Sequence, residues 1–310
     1  MTLSSTSHAP KRTPKGSHLI DGTSIARQVR GEIAHRVKHL KTRGIQPKLG
    51  VILVGGHAPS QIYVKYKRHA AEEVGIQVII HHFDQTVTLE RLYQCVDQMN
   101  EDPETHGILV QLPLPNHLSS TETWSVVERV RPDKDVDGLH PLNLGLIGNS
   151  TSLDQPLSAG LIACTPLGCL RLLNETLGSI QGKRALVIGR SRIVGRPMAA
   201  LLTAADATVT IAHSRTHALR DHLRTAEIIV AAAGVPLLIQ DEDLREDAVL
   251  IDVGIHRQGD GRLCGDIDFD RVDGRVAAIS PVPGGVGPMT IASLMSNVCL
   301  AATRQQRGSL

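Results

Sequence analysis

A lysine and a tyrosine at helical spacing are the first residues in this sequence that could support acid–base chemistry. Tyr63 and Lys67 are four residues apart in a segment that predicts a helix, so their side chains share one face. An uncharged lysine amine can take a proton from an attacking water, but a free lysine has a pKa of about 10.4. Partial burial and a cationic substrate would both favour the neutral amine. The spacing alone also fits a solvated lysine.

Two further polar side chains lie where a ligand site would be expected. Gln111 closes a predicted strand, at the carboxyl edge where open α/β sheets bind their ligands. Asp137 lies in an acidic, turn-forming loop, residues 132–138 (PDKDVDG). That loop lacks the glutamate and the spacing of a calcium-binding hand. His35 and His39 share a helical face, but no third ligand accompanies them. We therefore expect no metal site.

A glycine-containing turn predicts a site for the phosphates of a dinucleotide. Residues 185–189 predict a buried strand, which runs into RSRIVGRP at 190–197. A strand, a turn of small residues and a helix N-terminus direct backbone N–H groups at an anion. Gly189 permits the turn, and Gly195 permits close approach of backbone and ligand. The pattern differs from the usual G-x-G-x-x-G, so a purely structural turn is the alternative.

The end of the next strand bears on which dinucleotide would bind. The adenosine ribose lies there in this topology, and an acidic residue would bind the 2′-hydroxyl of NAD. The sequence has Ser214 and Arg215 instead, with Arg190 and Arg192 in the preceding turn. The absence of an acid and the presence of arginine favour NADP. Solvated arginines are the alternative interpretation.

Alternating strands and helices predict the scaffold that positions these residues. Apolar runs at 49–54, 76–80 and 107–112 alternate with helical segments, and the alternation resumes after an irregular passage at 132–166. The pattern is typical of parallel sheets covered on both faces. We predict two open α/β domains with a cleft between them, the C-terminal one a Rossmann-type NAD(P)-binding domain, with the last helix returning to the N-terminal domain. The expected boundaries are a disordered extension at 1–17, a first domain at 18–158 plus 286–310, and a second at 159–285.

Composition excludes several other classes of protein. The 310 residues are 41% hydrophobic but only 2% aromatic, and the formal net charge is +2. Few aromatic residues and little net charge argue against binding nucleic acid. Five scattered cysteines without a Cys-x-x-Cys pair indicate a reducing, cytoplasmic compartment. No apolar run approaches the roughly 20 residues of a membrane span.

Four segments and the glycine-containing turn together resemble one known family. The segments are 60–67 (SQIYVKYK), 107–115 (GILVQLPLP), 132–138 (PDKDVDG) and 281–290 (PVPGGVGPMT). With GRSRIVGRP they are similar to the bifunctional methylenetetrahydrofolate dehydrogenase/methenyltetrahydrofolate cyclohydrolase family. The resemblance extends from about residue 19 to residue 302, and PVPGGVGPMT is its most specific part.

The resemblance implies an activity and a set of site residues. The family oxidises 5,10-methylenetetrahydrofolate with NADP and then hydrolyses the methenyl product to 10-formyltetrahydrofolate. The implied catalytic residues are Lys67, Tyr63, Gln111 and Asp137. The implied substrate-binding residues are Tyr63, Lys67, Val110, Gln111, Leu112, Asp137, Pro283, Gly284 and Gly285. The implied cofactor-binding residues are Gly189, Arg190, Ser191, Ser214 and Ile255. A homodimer is also implied.

Two departures from the family pattern are visible. Many relatives have an arginine after the glycine that follows Asp137, where this sequence continues LHPLNLGLI. Residues 55–59 (GGHAP) replace a more polar loop. A relative with one of the two activities, another NADP-dependent dehydrogenase of a small acid, and a catalytically silent scaffold are the alternative functions.

Overall fold

The computed structural model describes residues 11–153, 160–240 and 243–307. The helices are α1 (Gly22–Thr42), α2 (Ala58–Val74), α3 (Leu89–Glu101), α4 (Ser120–Arg129), α5 (Pro141–Gly148), α6 (Cys164–Leu177), α7 (Gly195–Ala204), α8 (Leu219–Thr225), α9 (Phe269–Val272) and α10 (Val286–Arg307). The strands are β1 (His18–Leu19), β2 (Lys48–Val54), β3 (Gln77–Phe83), β4 (Gly107–Val110), β5 (Arg184–Ile188), β6 (Thr208–Ala212), β7 (Ile228–Ala231), β8 (Val249–Asp252), β9 (His256–Arg257), β10 (Leu263–Cys264) and β11 (Ala278–Ile279).

The first lobe is built on a parallel sheet of three strands in the order β3-β2-β4. Every residue of β2 and β4 is buried, which explains why their sequences, after Lys48 at the start of β2, are continuously apolar rather than alternating. One face of the sheet is covered by α1, α2 and α10, and the other by α3 and α4. The carboxyl ends of β2 and β4 therefore meet at one edge of a rigid layer.

The second lobe is built on a parallel sheet of six strands in the order β1-β11-β8-β7-β5-β6. Helices α6 and α7 cover one face, and α8 with the residues around α9 covers the other. Strands β9 and β10 form a separate antiparallel hairpin after β8. The two-domain α/β fold with a Rossmann-type second domain is confirmed.

The N-terminal segment differs from the predicted disordered extension. Within the described residues, the hydroxyl of Thr13 donates to the carboxylate of Asp273, and that of Ser17 donates to the carbonyl of Val276 at 2.8 Å. Strand β1 then pairs with β11, so residues 11–19 belong to the second lobe. These bonds are made with residues some 260 positions away, which composition cannot reveal. Residues 1–10 and the predicted boundary at 158 lie outside the described residues.

Helix α2 begins two residues before Ser60, a residue type that favours the cap position of a helix. Ser60 resembles a helix cap, but α2 begins at Ala58, with His57 in the cap position and Pro59 in the first turn. Ser60 is buried inside the helix, and its hydroxyl lies 2.9 Å from Nδ1 of His57. Proline therefore sets the first turn without a side-chain cap.

Helix α10 connects the two lobes. It contacts α1 and α2 in the first lobe and α6 in the second, so the last helix returns to the N-terminal domain as predicted. Among the described residues, α10 is the one helix whose length and composition alone would allow it to cross a membrane. Most of that stretch is buried, as in a core helix, including Met289, Leu294 and Val298.

Candidate active site

Lys67 and Gln111 are in direct contact at the carboxyl edge of the first sheet. Nζ of Lys67 donates to Oε1 of Gln111 at 3.0 Å. The amide of Gln111 is fixed in turn, because its Nε2 donates to the carbonyl of Leu112 at 2.7 Å. Tyr63 lies one turn before Lys67 and is half-buried, and burial raises the pKa of its phenol. The structure thus brings an amine, an amide and a neutral phenol together.

Asp137 is near a buried cysteine, Cys164, that also lies near Lys67. The pKa of Cys164 lies well above its usual range because of burial and because of the nearby Asp137 carboxylate, while the Lys67 ammonium acts in the opposite direction. Both charged side chains are therefore close to one sulfur atom. The thiol donates to the carbonyl of Val136 at 3.2 Å.

The backbone around Asp137 is held by close packing. Gly138 has a φ of +73°, and a Cβ there would overlap the backbone nitrogen of Ala163. The Asn297 amide on α10 donates to the carbonyls of Val136 and Ile162, at 2.9 and 2.8 Å. The Asp137 turn is therefore clamped against the start of α6.

Cys164 and Asn297 were missed by sequence reasoning. No local spacing singles out Cys164, because its neighbours at the site come from distant segments. Asn297 offered a signal, since it is a polar residue inside the apolar run of the last helix. A buried amide in such a position requires partners, and here they are the two carbonyls that flank the site.

The segment 281–285 lies against the start of α1. The Gly284 carbonyl accepts hydrogen bonds from the backbone nitrogen of Thr23 at 2.9 Å and from its hydroxyl at 3.3 Å. A Cβ at Gly22 would overlap the carbonyl of Gly285, so the glycine at position 22 permits this approach. Pro283 is exposed beside these contacts. The segment is thus fixed at its glycines and open to a ligand at its proline.

The turn after β5 has the shape expected of a phosphate-binding turn. Gly189 has a φ of +123°, and a Cβ there would overlap the carbonyl of Ala232. A Cβ at Gly195 would overlap the carbonyl of Gly189. The Ser191 hydroxyl accepts from the backbone nitrogens of Val194 and Gly195, at 3.1 and 3.3 Å. Its own proton is left to donate to an anion, and Arg190 beside it is exposed.

Arg192 does not contribute its charge to this turn in the way that the sequence suggested. Its guanidinium lies 3.9 Å from the ring centroid of Trp124 and forms an ion pair with Glu128, both on α4 of the first lobe. The adjacent Ile193 packs on the apolar cluster under α3 and α4. The interpretation of Arg192 as a determinant of NADP binding is therefore replaced by a role in joining the lobes.

The remaining predicted cofactor residues end other strands of the second sheet. Ser214 and Arg215 follow β6 and are exposed, and Nδ1 of His213 accepts from the backbone nitrogen of Arg215 at 3.1 Å. Ile255 follows β8 with 46% of its surface exposed. Parallel strands place these residues at the same edge as Gly189.

The two edges lie beside each other. Leu112, directly after Gln111, and Ile193, in the turn after β5, pack on the same apolar cluster. The carboxyl ends of β4 and β5 thus border a common cleft.

A separate surface cavity of about 780 Å³ lies at the opposite edge of the first sheet, and Lys134 in its wall already donates to the carbonyls of Met99 and Asp102.

The first lobe presents a lysine that is hydrogen-bonded to a side-chain amide, and the second presents a glycine-containing turn suited to an anion. This arrangement defines an NAD(P)-dependent enzyme with two lobes and a second substrate in the cleft between them. Family models agree with both halves. The model for the catalytic domain of tetrahydrofolate dehydrogenase/cyclohydrolase matches residues 20–137, and that for its NAD(P)-binding domain matches residues 163–306. The chain belongs to the tetrahydrofolate dehydrogenase/cyclohydrolase family.

Individual relatives cover almost the whole chain. The bifunctional protein FolD of Bacillus subtilis is 45% identical over 92% of this chain and 98% of its own length, and FolD 2 of Pseudomonas putida is 47% identical over 94% of each. The crystal structure of the Campylobacter jejuni bifunctional enzyme FolD matches with a TM-score of 0.88 at 40% identity, covering 93% of this chain and 99% of that one. The Trypanosoma brucei enzyme, determined with NADP and an inhibitor, matches with a TM-score of 0.85 at 36% identity, covering 94% and 99%.

Proposed function

We propose that this chain oxidises 5,10-methylenetetrahydrofolate to 5,10-methenyltetrahydrofolate with NADP and then hydrolyses the product to 10-formyltetrahydrofolate. The observation that carries the proposal is the 3.0 Å contact between Lys67 and Gln111 on a wall that borders the cofactor turn. Membership of a family whose relatives are named bifunctional supports both steps. Another dehydrogenase of a small acid would leave this pair and Asp137 without a role.

The residues of the second lobe fit NADP. Glycine at 189 and 195 keeps backbone groups open where a side chain would fill the turn, and Ser191 has a proton to donate. Ser214 and Arg215, without an acid between them, suit a 2′-phosphate. NADP supplies the hydride acceptor when bound. The protein would contribute mainly the placement of cofactor and substrate, because the lone pair of the substrate nitrogen can itself assist the departure of the hydride.

The hydrolysis step requires a base. As water attacks the methenyl carbon, a new carbon–oxygen bond forms and the water loses a proton, which Lys67 takes in its neutral form. The carbon–N5 bond then breaks. One of the two water protons ends on N5 and the other passes to solvent. The cationic substrate disfavours a second positive charge on the nearby amine, and Gln111 fixes the direction of its lone pair.

Other residues of the first lobe would hold the folate. Tyr63, with its apolar ring and neutral hydroxyl, would pack on the substrate and limit access of water. The Asp137 carboxylate would accept hydrogen bonds from the N–H edge of the pterin. Val110 and Leu112 flank Gln111, and Pro283 with Gly284 and Gly285 would close the cleft over the bound rings. These roles agree with the resemblance noted from the sequence.

Substitution of Lys67 by Met tests the proposal, because it keeps the length of the side chain and removes the base. We expect hydrolysis to be lost and part of the NADP-dependent oxidation to remain, each followed through the absorbance of the methenyl intermediate. Lys65→Met, an exposed position on the same helix, is the matched control and should retain both reactions. If Lys67→Met retains both activities equally, Lys67 has no part in the mechanism.

We also propose a cytoplasmic homodimer that binds neither nucleic acid nor membrane. Strand β6 supports an interface, because it is an edge strand of the second sheet and exposes 44% of Ile211. Light scattering on the purified protein should give twice the chain mass of 33.4 kDa, and an Ile211→Lys variant should shift the mass towards one chain.

A further inference from the structure

A fully buried carboxylate lies behind the cofactor edge of the second sheet. Asp266 has no exposed surface, and its Oδ2 accepts from the backbone nitrogens of Ala233 and Gly234, at 2.6 and 2.9 Å. Its Oδ1 lies 2.8 Å from Nε2 of His256, which must donate, because a carboxylate only accepts. A buried charge is tolerated only when such bonds surround it. His256 is the side chain that completes the set.

The groups bound to Asp266 belong to two loops at the cofactor edge. Residues 232–234 follow β7, and the Ala232 carbonyl packs against Gly189 in the phosphate-binding turn. His256 directly follows Ile255, the exposed residue after β8. The Asp266 carboxylate thus joins the loop that touches the phosphate turn to the segment that presents Ile255.

A second carboxylate fixes the same segment from its other end. Oδ1 of Asp252 accepts from the backbone nitrogens of Gly254 and Asp266, at 3.0 and 2.9 Å. Gly254 must be glycine, because a Cβ there would overlap the Asp266 side chain. Residues 253–255 are therefore held by Asp252 on one side. On the other side, His256 pairs through its backbone with Cys264 in the β9–β10 hairpin, and its side chain adds the bond to Asp266.

We propose that His256 is a positioning residue for the oxidation step. By holding Asp266, it keeps the loop 232–234 and Ile255 in the arrangement that receives the nicotinamide end of NADP. The inference rests on the proposed function, because it needs this edge to bind the dinucleotide. Loss of the imidazole leaves one oxygen of a buried carboxylate without its donor, and the loops must shift or admit water to satisfy it. Lys67 and Gln111, on the other lobe, are unaffected.

Three variants test this inference in the full-length enzyme. His256→Ala removes the donor, and His256→Gln restores an N–H group that can reach Asp266. Arg262→Gln, at the exposed tip of the β9–β10 hairpin, is the control for general disturbance of the hairpin. The oxidation is measured with NADP varied. Hydrolysis is measured on added methenyltetrahydrofolate without NADP, which reports on folding of the same preparation.

We expect His256→Ala to raise KM for NADP, or lower kcat/KM, by about tenfold or more, the factor expected from one lost hydrogen bond to a charged group. Hydrolysis should stay within about twofold of wild type, since its groups lie on the other lobe. His256→Gln should recover most of the loss, and Arg262→Gln should match wild type.

Three results would overturn the inference: an unchanged kcat/KM in His256→Ala, an equal fall in both activities, or no recovery in His256→Gln. Absence of NADP-dependent oxidation in the wild type would instead refute the proposed function, and the inference with it.

Discussion

Protonation of Asp252 should make the stability of this protein depend on pH in a direction opposite to that of most carboxylates. Burial raises the pKa of Asp252 to about 6 in the folded protein, from an ordinary value of 3.8, and the neighbouring Asp266 adds to the rise. The folded state then binds the proton more tightly than the unfolded state. The contribution of this group is fully present below about pH 4 and is lost as the pH rises through 6.

The size of the effect follows from the shift. A rise of about two units, at about 1.36 kcal/mol per unit, corresponds to about 3 kcal/mol in total. About 2 kcal/mol of this falls between about pH 4.5 and pH 7, where the protein can be handled. Asp252→Asn removes the titrating group. It also changes the free energy of unfolding by an amount that does not depend on pH, because the new NH₂ group would face the backbone nitrogen of Ile267, which in the wild type donates to Oδ2.

Guanidinium unfolding at a fixed protein concentration measures this difference. The free energy of unfolding of the wild type, minus that of Asp252→Asn, should fall by about 2 kcal/mol between about pH 4.5 and pH 7. Asp247→Asn is the control, because an ion pair with Arg245 lowers the pKa of the exposed Asp247 carboxylate. The free energy of unfolding of the wild type, minus that of Asp247→Asn, should therefore rise slightly over the same pH range. A difference that is constant or rises with pH for Asp252 would refute the argument, since it would mean that the three N–H donors stabilise the charged form.

The other predictions concern the site and the thiols. Gln111→Leu should slow hydrolysis by about ten- to a hundredfold, the effect of one lost hydrogen bond, and oxidation less. An equal effect on both steps, followed by methenyl absorbance, would contradict this. Gly189→Ala should raise KM for NADP by about tenfold or more while hydrolysis continues. The new Cβ would overlap the carbonyl of Ala232, and the φ of +123° at position 189 is unfavourable for alanine. An unchanged KM would contradict this. Of the five cysteines only Cys264 is partly exposed. A thiol reagent should therefore modify one group rapidly in the native protein and all five after unfolding. Rapid modification of two or more groups in the native protein would contradict this, because it would mean that the buried cores open.

Much of the fold could be predicted because its signals are local. Buried parallel strands read as continuous apolar runs, as in β2 and β4, and glycine marks the turn after β5. The involvement of both Lys67 and Gln111 in one site was implied by the resemblance alone, because β2 and β4, which bring them to one edge, are neighbours in the sheet but not consecutive in the chain. Helix α4 carried a further signal that was not used: Ser119 and Glu122 form a capping box.

What could not be predicted depends on contacts between distant segments. Residues 11–17 contain no apolar pattern, and their order comes from bonds to the turn at 273–276. Arg192 fits a phosphate-binding role in the sequence, yet its partners are Trp124 and Glu128 on the other lobe. The bond between His256 and Asp266 has no signature in the sequence either, because the separation of ten residues between the two positions does not correspond to any spacing that indicates a contact.

The most direct test is a crystal structure of the wild-type protein with NADP and a folate analogue that cannot react. Nζ of Lys67 should lie within hydrogen-bonding reach, about 3 Å, of the position from which water attacks the bridging carbon. The nicotinamide ring should face the pterin from the Ile255 side. A folate bound elsewhere, or a Lys67 side chain directed away from it, would contradict the account.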